Sequence, residues 1–278
     1  MPWECVNLMA QPSDSSSSSA RPLAGQHAIV TGGSRGIGAA IADELARLGA
    51  DLTLIGRTAD TLEQAAGDIY HRHQVAVTPV VADVTDEAAI VAAFESIRER
   101  VPQPEILINN AGGATSAPFA RLEREQWDTA ITLNLTSAYL CTQQIVPAML
   151  DAGYGRIVNI ASTAGLTGYR YVTAYCAAKH GLVGLTRALA LELARKGITV
   201  NAVCPGFTET DMLDQSVQNI VEKTGRSADQ ARAELAAGNP QGRLIQPQEV
   251  AATVGWLCLP TAAAINGQAV SVDGGEVL

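Results

Sequence analysis

Short aliphatic runs alternate with helical segments along most of the 278-residue chain. Several of these runs are apolar on both faces, which is typical of strands that are buried on both sides of a sheet. The predicted strands cover residues 27–30, 51–56, 75–81, 105–109, 155–160 and 198–204. The predicted helices include 58–71, 85–100 with Thr85 as N-cap, and 123–150. This alternation predicts an α/β fold, a doubly wound parallel sheet with helices on both faces.

The composition favours one large globular domain. Hydrophobic residues make up 47% of the chain, whereas charged residues make up only 17%, which fits a protein that buries extra surface in an oligomer. The net charge of −9 argues against nucleic acid as a partner. No apolar run is long enough to span a membrane, so no membrane partner is expected. Five dispersed cysteines without metal-like spacing indicate reduced thiols in a cytoplasmic compartment and no bound metal: Cys5, Cys141, Cys176, Cys204 and Cys258.

The beginning of the chain differs from the rest. A low-complexity run of serines within residues 11–20 has too few apolar residues for a core. Residues 1–24 are therefore predicted to be a disordered Ser-rich extension, and residues 25–278 to form the folded domain. The extension lacks the basic start and apolar stretch of a secretory signal, and Met9 is a candidate alternative start.

A glycine-rich turn follows the first predicted strand and opens a helix. Glycines let the backbone approach a ligand closely, and a helix N-terminus presents free N–H groups to an anion. A pyrophosphate is the natural ligand, and an ordinary turn is the alternative. The spacing differs from the G-x-G-x-x-G fingerprint. The turn reads Thr31-Gly32-Gly33-Ser34-Arg35-Gly36-Ile37-Gly38.

The other unusual residues also follow predicted strands. Ligands of open parallel sheets bind beyond the carboxyl ends of the strands, so these positions are expected to meet at one edge. They are Asp83, residues 110–112, Ser162 and Pro205-Gly206.

Tyr175 and Lys179 are four residues apart in a long predicted helix that ends near residue 194. This spacing places both side chains on one helix face. A tyrosine has a pKa of about 10, and a nearby cation is expected to lower it so that the phenol can exchange a proton near pH 7. A lone pair of this kind is more often an ordinary surface pair.

Together these motifs resemble those of the short-chain dehydrogenase/reductase family, over residues 22–278. The resemblance implies a single-domain Rossmann fold and an oxidoreductase that interconverts a ketone and a secondary alcohol with a nicotinamide cofactor. The matching motifs are Thr31-Gly32-x-x-x-Gly36-x-Gly38, Asp83-Val84, Asn109-Asn110-Ala111-Gly112, Asn134, Ser162, Tyr175-x-x-x-Lys179, Pro205-Gly206 and Val272-Asp273-Gly274-Gly275.

The resemblance assigns catalytic roles to four residues, which form the predicted tetrad: Asn134, Ser162, Tyr175 and Lys179. Tyr175 is the expected general acid for carbonyl reduction, and Lys179 lowers its pKa and binds the nicotinamide ribose. Ser162 is expected to hold the carbonyl oxygen. Asn134 is expected to hold a water that links Lys179 to solvent, although a helix-packing amide is the structural alternative.

The resemblance also implies a set of cofactor contacts. Asp83 and the Val84 backbone are expected at the adenine, and residues 110–112 at the adenosine ribose. The Thr208 backbone and Thr210 are expected at the nicotinamide carboxamide. Besides Tyr175 and Lys179, the set comprises Gly32, Ser34, Arg35, Gly36, Ile37, Gly38, Arg57, Asp83, Val84, Asn110, Ala111, Gly112, Pro205, Gly206, Thr208 and Thr210.

The end of the second strand predicts a preference for NADP(H) over NAD(H), with NAD(H) still possible. NAD-preferring relatives place a carboxylate there, whereas this chain has Gly56-Arg57-Thr58 and no acid before Asp60. The Arg57 guanidinium suits the extra phosphate, and Arg35 would approach it from the other side.

Residues 207–246 are predicted to form a lid over the substrate. The candidate pocket walls are Phe207, Met212 and Leu213 on one side and Gly113, Ala114 and Tyr169 on the other.

Motif similarity favours reduction of a 3-oxoacyl thioester or a related carbonyl. A dehydrogenase of a cyclic or aryl secondary alcohol is the alternative. A sugar-nucleotide epimerase would need a larger C-terminal domain, and a catalytically silent cofactor-binding subunit would lack part of the tetrad.

Two helices that are apolar nearly all round, together with the resemblance, predict a homotetramer.

Overall fold

The computed structural model describes residues 21–101 and 103–277. In this part of the chain seven parallel strands form one sheet in the order β3-β2-β1-β4-β5-β6-β7. The predicted doubly wound α/β fold is confirmed. The strands are β1 His27–Thr31, β2 Asp51–Gly56, β3 Val77–Val81, β4 Ile106–Asn109, β5 Gly155–Ile160, β6 Ile198–Pro205 and β7 Ala269–Val272.

Nine α-helices occur in the same described residues and cover both faces of the sheet. Helices α1, α2 and α9 pack on one face around a core that includes Ile41, Leu62 and Val254. Helices α3, α5 and α6 pack on the other around Phe94 and Leu193. The helices are α1 Gly36–Arg47, α2 Ala59–His73, α3 Glu87–Arg100, α4 Arg124–Ile131, α5 Ser137–Ala152, α6 Thr173–Leu193, α7 Asp211–Thr224, α8 Ala228–Ala236 and α9 Pro247–Cys258.

Several local predictions are corrected by the structure. Strand β7 and helices α7 and α9 were not predicted, and β3 begins at Val77 rather than at residue 75. The N-cap of α3 is Asp86, whose carboxylate accepts hydrogen bonds from the Ala88 and Ala89 N–H groups. Thr85 instead donates its hydroxyl to Asp83.

The predicted Ser-rich extension lies mostly outside the described residues. Only its last four positions, 21–24, are described, and there Leu23 is fully buried in the core with α1 and β2. Leu23 of the predicted extension therefore packs as part of the folded domain. In the described part of the chain, no helix has the length and apolar character needed to cross a membrane.

Strand order reverses between β1 and β4, and this reversal positions the site. The chain leaves β1 toward α1 on one face of the sheet and leaves β4 toward α5 on the other. The two loops therefore diverge and open a crevice at the carboxyl edge, the usual ligand site of such sheets.

Candidate active site

The width of the crevice is fixed by hydrogen bonds between the loops after β1 and β4. The Asn110 side chain donates to the carbonyls of Thr31 at 2.9 Å and Gly32 at 3.2 Å. The Thr31 hydroxyl accepts from the N–H groups of Asn110 and Ala111, each at 3.0 Å. The side chain and the backbone N–H of Asn110 are thus used to join the loops, and its carbonyl remains for the predicted ribose contact.

The glycine turn fits a closely approaching pyrophosphate. Gly32 and Gly36 have φ angles of 64° and 53°, in the left-handed region that favours glycine. A Cβ at Gly38 would lie 2.1 Å from the Gly32 carbonyl oxygen, so no other residue fits there. Arg35, the N-cap of α1, makes no side-chain cap, which leaves the first N–H groups of the helix for an anion.

The predicted adenine side of the site lies after β3. Asp83 Oδ1 accepts from the N–H of Thr85 at 2.9 Å and from its hydroxyl at 2.7 Å. These hydrogen bonds, with a smaller contribution from the Arg57 guanidinium, hold the pKa of Asp83 below its usual value. Arg57 directly follows β2, and its side chain is exposed.

Lys179 is the buried centre of the predicted tetrad. Its side chain, only 3% exposed, donates from Nζ to the Ile160 carbonyl at 2.7 Å. Because Ile160 ends β5 and Ser162 follows it, this bond ties the second turn of α6 to the serine loop. The Ser162 hydroxyl accepts from the Ala164 N–H at 3.1 Å, which orients the side chain at the start of a short 3₁₀ turn.

The predicted lowering of the Tyr175 pKa is wrong for the protein alone. Burial raises the pKa of Tyr175 to about 12, and a hydrogen bond with Ser162 offsets only part of this. Lys179 Nζ lies 5.6 Å from the centre of the Tyr175 ring, and burial lowers the pKa of Lys179 to about 8. Desolvation determines the direction of the Tyr175 shift, so near pH 7 the phenol keeps its proton, the form that a general acid needs.

Asn134 lies in a π-helical turn, Thr132–Thr136, between α4 and α5. Its amide donates to the carbonyls of Gly113 at 2.9 Å and Ala130 at 3.0 Å, and its Oδ1 accepts from the Gly113 N–H at 3.1 Å. Such turns often occur at functional sites. The packing alternative accounts for these bonds, and the predicted water-holding role stays a prediction.

Gly112 brings the backbone against two members of the tetrad. A Cβ at this position would lie 2.8 Å from Asn134 Oδ1 and 3.5 Å from Lys179 Nζ. The strand-end motif of residues 110–112 therefore reaches the predicted catalytic residues as well as the predicted ribose site.

The segment after β6 closes against the glycine turn. Thr210 Oγ1 donates to the Thr208 carbonyl at 3.3 Å, and Thr208 Oγ1 donates to the Gly206 carbonyl at 3.0 Å. A Cβ at Gly36 would meet Thr210 Cγ2 at 3.3 Å. The predicted nicotinamide segment begins at Pro205, the last residue of β6. The approach of Gly36 to Thr210 places this segment beside the predicted pyrophosphate turn.

The predicted pocket walls are only partly correct. The rings of Tyr169 and Phe207 meet edge to face with centroids 6.2 Å apart, so these two sides do come together. Met212 is exposed, whereas Leu213 is buried with Val217 and Ala231 between α7 and α8. Leu213 therefore belongs to the internal core of the predicted lid and is not a pocket wall.

Glu276 is a residue that the sequence analysis missed. Its Oε1 accepts a 2.6 Å hydrogen bond from the Tyr169 hydroxyl, whose oxygen also lies 2.9 Å from Thr163 Oγ1. Burial and the Glu276 carboxylate raise the pKa of Tyr169, which therefore remains a phenol. No sequence signal places this acid at the site, because the chain reaches it only through the turn after β7.

Comparison with known proteins identifies the family. The family model described as short chain dehydrogenase matches residues 26–220. The chain is a short-chain dehydrogenase. It is similar to the 3-oxoacyl-[acyl-carrier-protein] reductase of Pseudomonas aeruginosa, at 39% identity over 254 residues, which cover 91% of this chain and 98% of the relative. It is also similar to the D-beta-hydroxybutyrate dehydrogenase of Rhizobium meliloti, at 36% identity over 250 residues, covering 89% and 97%.

The solved structures agree with the fold. A variant of actinorhodin polyketide ketoreductase with NADPH superposes with a TM-score of 0.87 at 39% identity, over 92% of this chain and 98% of that one. The predicted family and reaction class, an oxidoreductase that interconverts ketones and secondary alcohols, are confirmed. The role of each site residue remains a prediction.

The Gly112 contact can be tested by Gly112→Ala. The added Cβ would lie 2.8 Å from Asn134 Oδ1 and displace that side chain, so kcat is expected to fall by about tenfold to a hundredfold, since small misplacements of catalytic groups are costly. Steady-state kinetics and urea unfolding measure the effect. The matched control is Gly67→Ala within α2, where a Cβ meets nothing within 4 Å. It should keep full activity and gain about 0.5–1 kcal/mol of stability. An unchanged kcat in Gly112→Ala would contradict the conclusion that Gly112 supports the predicted catalytic residues.

Proposed function

We propose that this enzyme reduces the ketone of a 3-oxoacyl thioester or a related 3-oxo carbonyl with NADP(H). The observation that carries the proposal is the buried Lys179, whose Nζ lies 5.6 Å from the centre of the Tyr175 ring and bonds the Ile160 carbonyl two residues before Ser162, at the carboxyl edge of the sheet. The names of the relatives support the substrate class, because one is a reductase of 3-oxoacyl groups and another a dehydrogenase of a 3-hydroxy acid.

The residues of this chain account for the proton transfer to the substrate and for the orientation of its carbonyl group. NADPH, when bound, supplies the hydride that adds to the carbonyl carbon. Ser162 holds the carbonyl oxygen, and Tyr175 donates its phenolic proton to that oxygen, which completes the alcohol. Lys179, held on the Ile160 carbonyl, stabilises the phenolate that remains and would bind the nicotinamide ribose. Asn134 would hold the water through which the proton is replaced.

The substrate proposal is tested with acetoacetyl thioesters and a panel of plain ketones. We expect reduction of the thioesters, and a loss of about 10²-fold or more in kcat for Tyr175→Phe, because the proton donor is gone. NADPH binding, followed by fluorescence, should be unchanged in this variant. Unchanged turnover would overturn the mechanism. Activity on cyclic or aryl ketones without activity on any 3-oxoacyl compound would favour the alternative dehydrogenase.

The preference for NADP(H) rests on two exposed arginines at the adenosine end of the site. Arg57 follows β2, where Gly56 has no carboxylate to repel the 2′-phosphate, and Arg35 lies in the glycine turn. Neither takes part in an ion pair with another described residue. Their positive charge is therefore available to a phosphate in a protein whose net charge is −9.

The double variant Gly56→Asp with Arg57→Ala tests this preference. It is expected to shift the ratio of kcat/KM for NADPH to that for NADH by about tenfold or more toward NADH, because a charge-assisted phosphate contact is worth about 1.5–3 kcal/mol. The Cβ of the new side chain would lie 3.3 Å from its nearest neighbour, Cδ2 of the flexible Leu62. Arg121→Ala, at another exposed position, is the control and should leave the ratio unchanged. A preference of the native enzyme for NADH would contradict the proposed role of Gly56 and Arg57 in selecting NADP(H).

We also propose a homotetramer in which α5 and α6 pair with their copies. Leu191 on α6 is 84% exposed and Tyr139 on α5 is 46% exposed, although both helices also pack on the sheet. Light scattering is expected to give a mass near four chains of 29.0 kDa. Leu191→Glu should lower that mass, whereas Tyr70→Glu on the opposite face should not. A native monomer would contradict the proposal.

A reducing cytoplasmic compartment is the proposed location. The four cysteines among the described residues are all free thiols, which suits a compartment that keeps thiols reduced: Cys141, Cys176, Cys204 and Cys258.

A further inference from the structure

The turn after β7 places the carboxylate of Glu276 at the wall of the predicted substrate pocket. Asp273, buried at the end of β7, accepts the N–H groups of Gly275 and Val277 on its two oxygens, at 2.9 Å and 3.0 Å. These bonds turn the chain back over the carboxyl edge of the sheet. Glu276, between the two bonded N–H groups, is therefore held in one place by its own backbone.

The carboxylate of Glu276 lies where three segments meet. A Cβ at Gly206 would be 3.0 Å from its Oε2, and a Cβ at Gly238 would be 3.3 Å from its Oε1. Its Oε1 also accepts from Tyr169, whose ring contacts Phe207. Glu276 thus lies against Gly206, which directly precedes the predicted lid, against Gly238 within the lid, and against Tyr169 in the loop that follows Ser162.

The negative charge at this wall has no neutralising partner. None of the ion pairs among residues 21–101 and 103–277 includes Glu276. The Tyr169 phenol supplies one hydrogen bond and no charge. Two like charges roughly 8 Å apart, at an effective dielectric constant of about 20, repel enough to weaken binding by about tenfold or more.

We infer that Glu276 is a specificity-determining residue whose carboxylate, held against Tyr169 at the pocket wall, rejects substrates with a free carboxylate near the ketone and admits neutral esters and thioesters. The inference rests on the proposed function, because it concerns which 3-oxo compounds reach the tetrad. Glu276 acts on binding of the substrate and takes no part in the proton transfer.

Two matched substrate pairs test the inference with NADPH. Acetoacetate and ethyl acetoacetate share one ketone and differ in charge. The second pair, 4-oxocyclohexanecarboxylate and its ethyl ester, differs in the same way but has no 3-oxoacyl group. The measured quantity is the ratio of kcat/KM for the ester to that for the acid. The native enzyme is expected to favour the ester in each pair that it reduces.

Glu276→Gln removes the charge but keeps the size and an acceptor for Tyr169. It should lower the ester-to-acid ratio by about tenfold, through KM of the acid, with kcat/KM of the ester within about twofold of native. Glu276→Leu should lower the ratio as well, and gives a second readout should the first variant fold poorly. Glu222→Gln, an exposed carboxylate on α7, changes the net charge equally and should leave the ratio unchanged.

Tyr169→Phe separates charge from simple support of the wall. It removes the hydrogen bond but keeps the carboxylate, so the ratio should stay at or above the native value. An unchanged ratio in both Glu276 variants, or an equal fall in Tyr169→Phe, would overturn the inference. If the enzyme does not act on 3-oxo compounds, it will reduce neither acetoacetate nor ethyl acetoacetate. The ester-to-acid ratio of the cyclic pair then still tests the role of Glu276.

Discussion

The divergence of the chain after β1 and β4 is the constraint on which the site depends. These strands are neighbours in the sheet, yet their following helices pack on opposite faces. The loops would separate without cross-links, and the bonds from Asn110 and to the Thr31 hydroxyl hold them at a fixed width. The polar atoms that join the two loops are satisfied by each other, which leaves the bare glycine backbone to face a cofactor.

A second polar chain fixes α6, and with it Tyr175, relative to the sheet. The Asn109 amide donates to Asn159 Oδ1 at 2.8 Å, and the Asn159 amide donates to Thr186 Oγ1 at 2.8 Å. All three side chains are buried, so removing one would take a hydrogen bond from a buried polar atom of its neighbour, at a cost of about 1–3 kcal/mol. One turn from Tyr175, the bond from Lys179 to Ile160 repeats the same link. The helix therefore has little freedom to slide along β5.

Much of the fold and the tetrad could be predicted from sequence, because both depend on local patterns. Six of the seven strands are visible as aliphatic runs, whereas β7 is a short edge strand with no fully buried residue. Helix α7 escaped prediction because only Leu213 and Val217 of its residues are buried, and they pack on α8 rather than on the sheet. The π-helical turn at Asn134 has no sequence signature. The direction of the Tyr175 pKa shift depends on burial, which the Tyr-Lys spacing does not report.

The substrate wall is the least predictable part of the site because it is assembled from distant segments. Tyr169, Phe207 and Glu276 come from different connections, and only the three-dimensional structure brings them together. The helices of the predicted lid have a small core of their own, and the Ile245 N–H bonds the Phe207 carbonyl at 2.9 Å, which joins the two ends of the lid beside this wall. Glu276 contacts the wall beside the helices rather than along them. The charge selection inferred for Glu276 therefore depends on the segments beside α7 and α8 rather than on contacts with these helices.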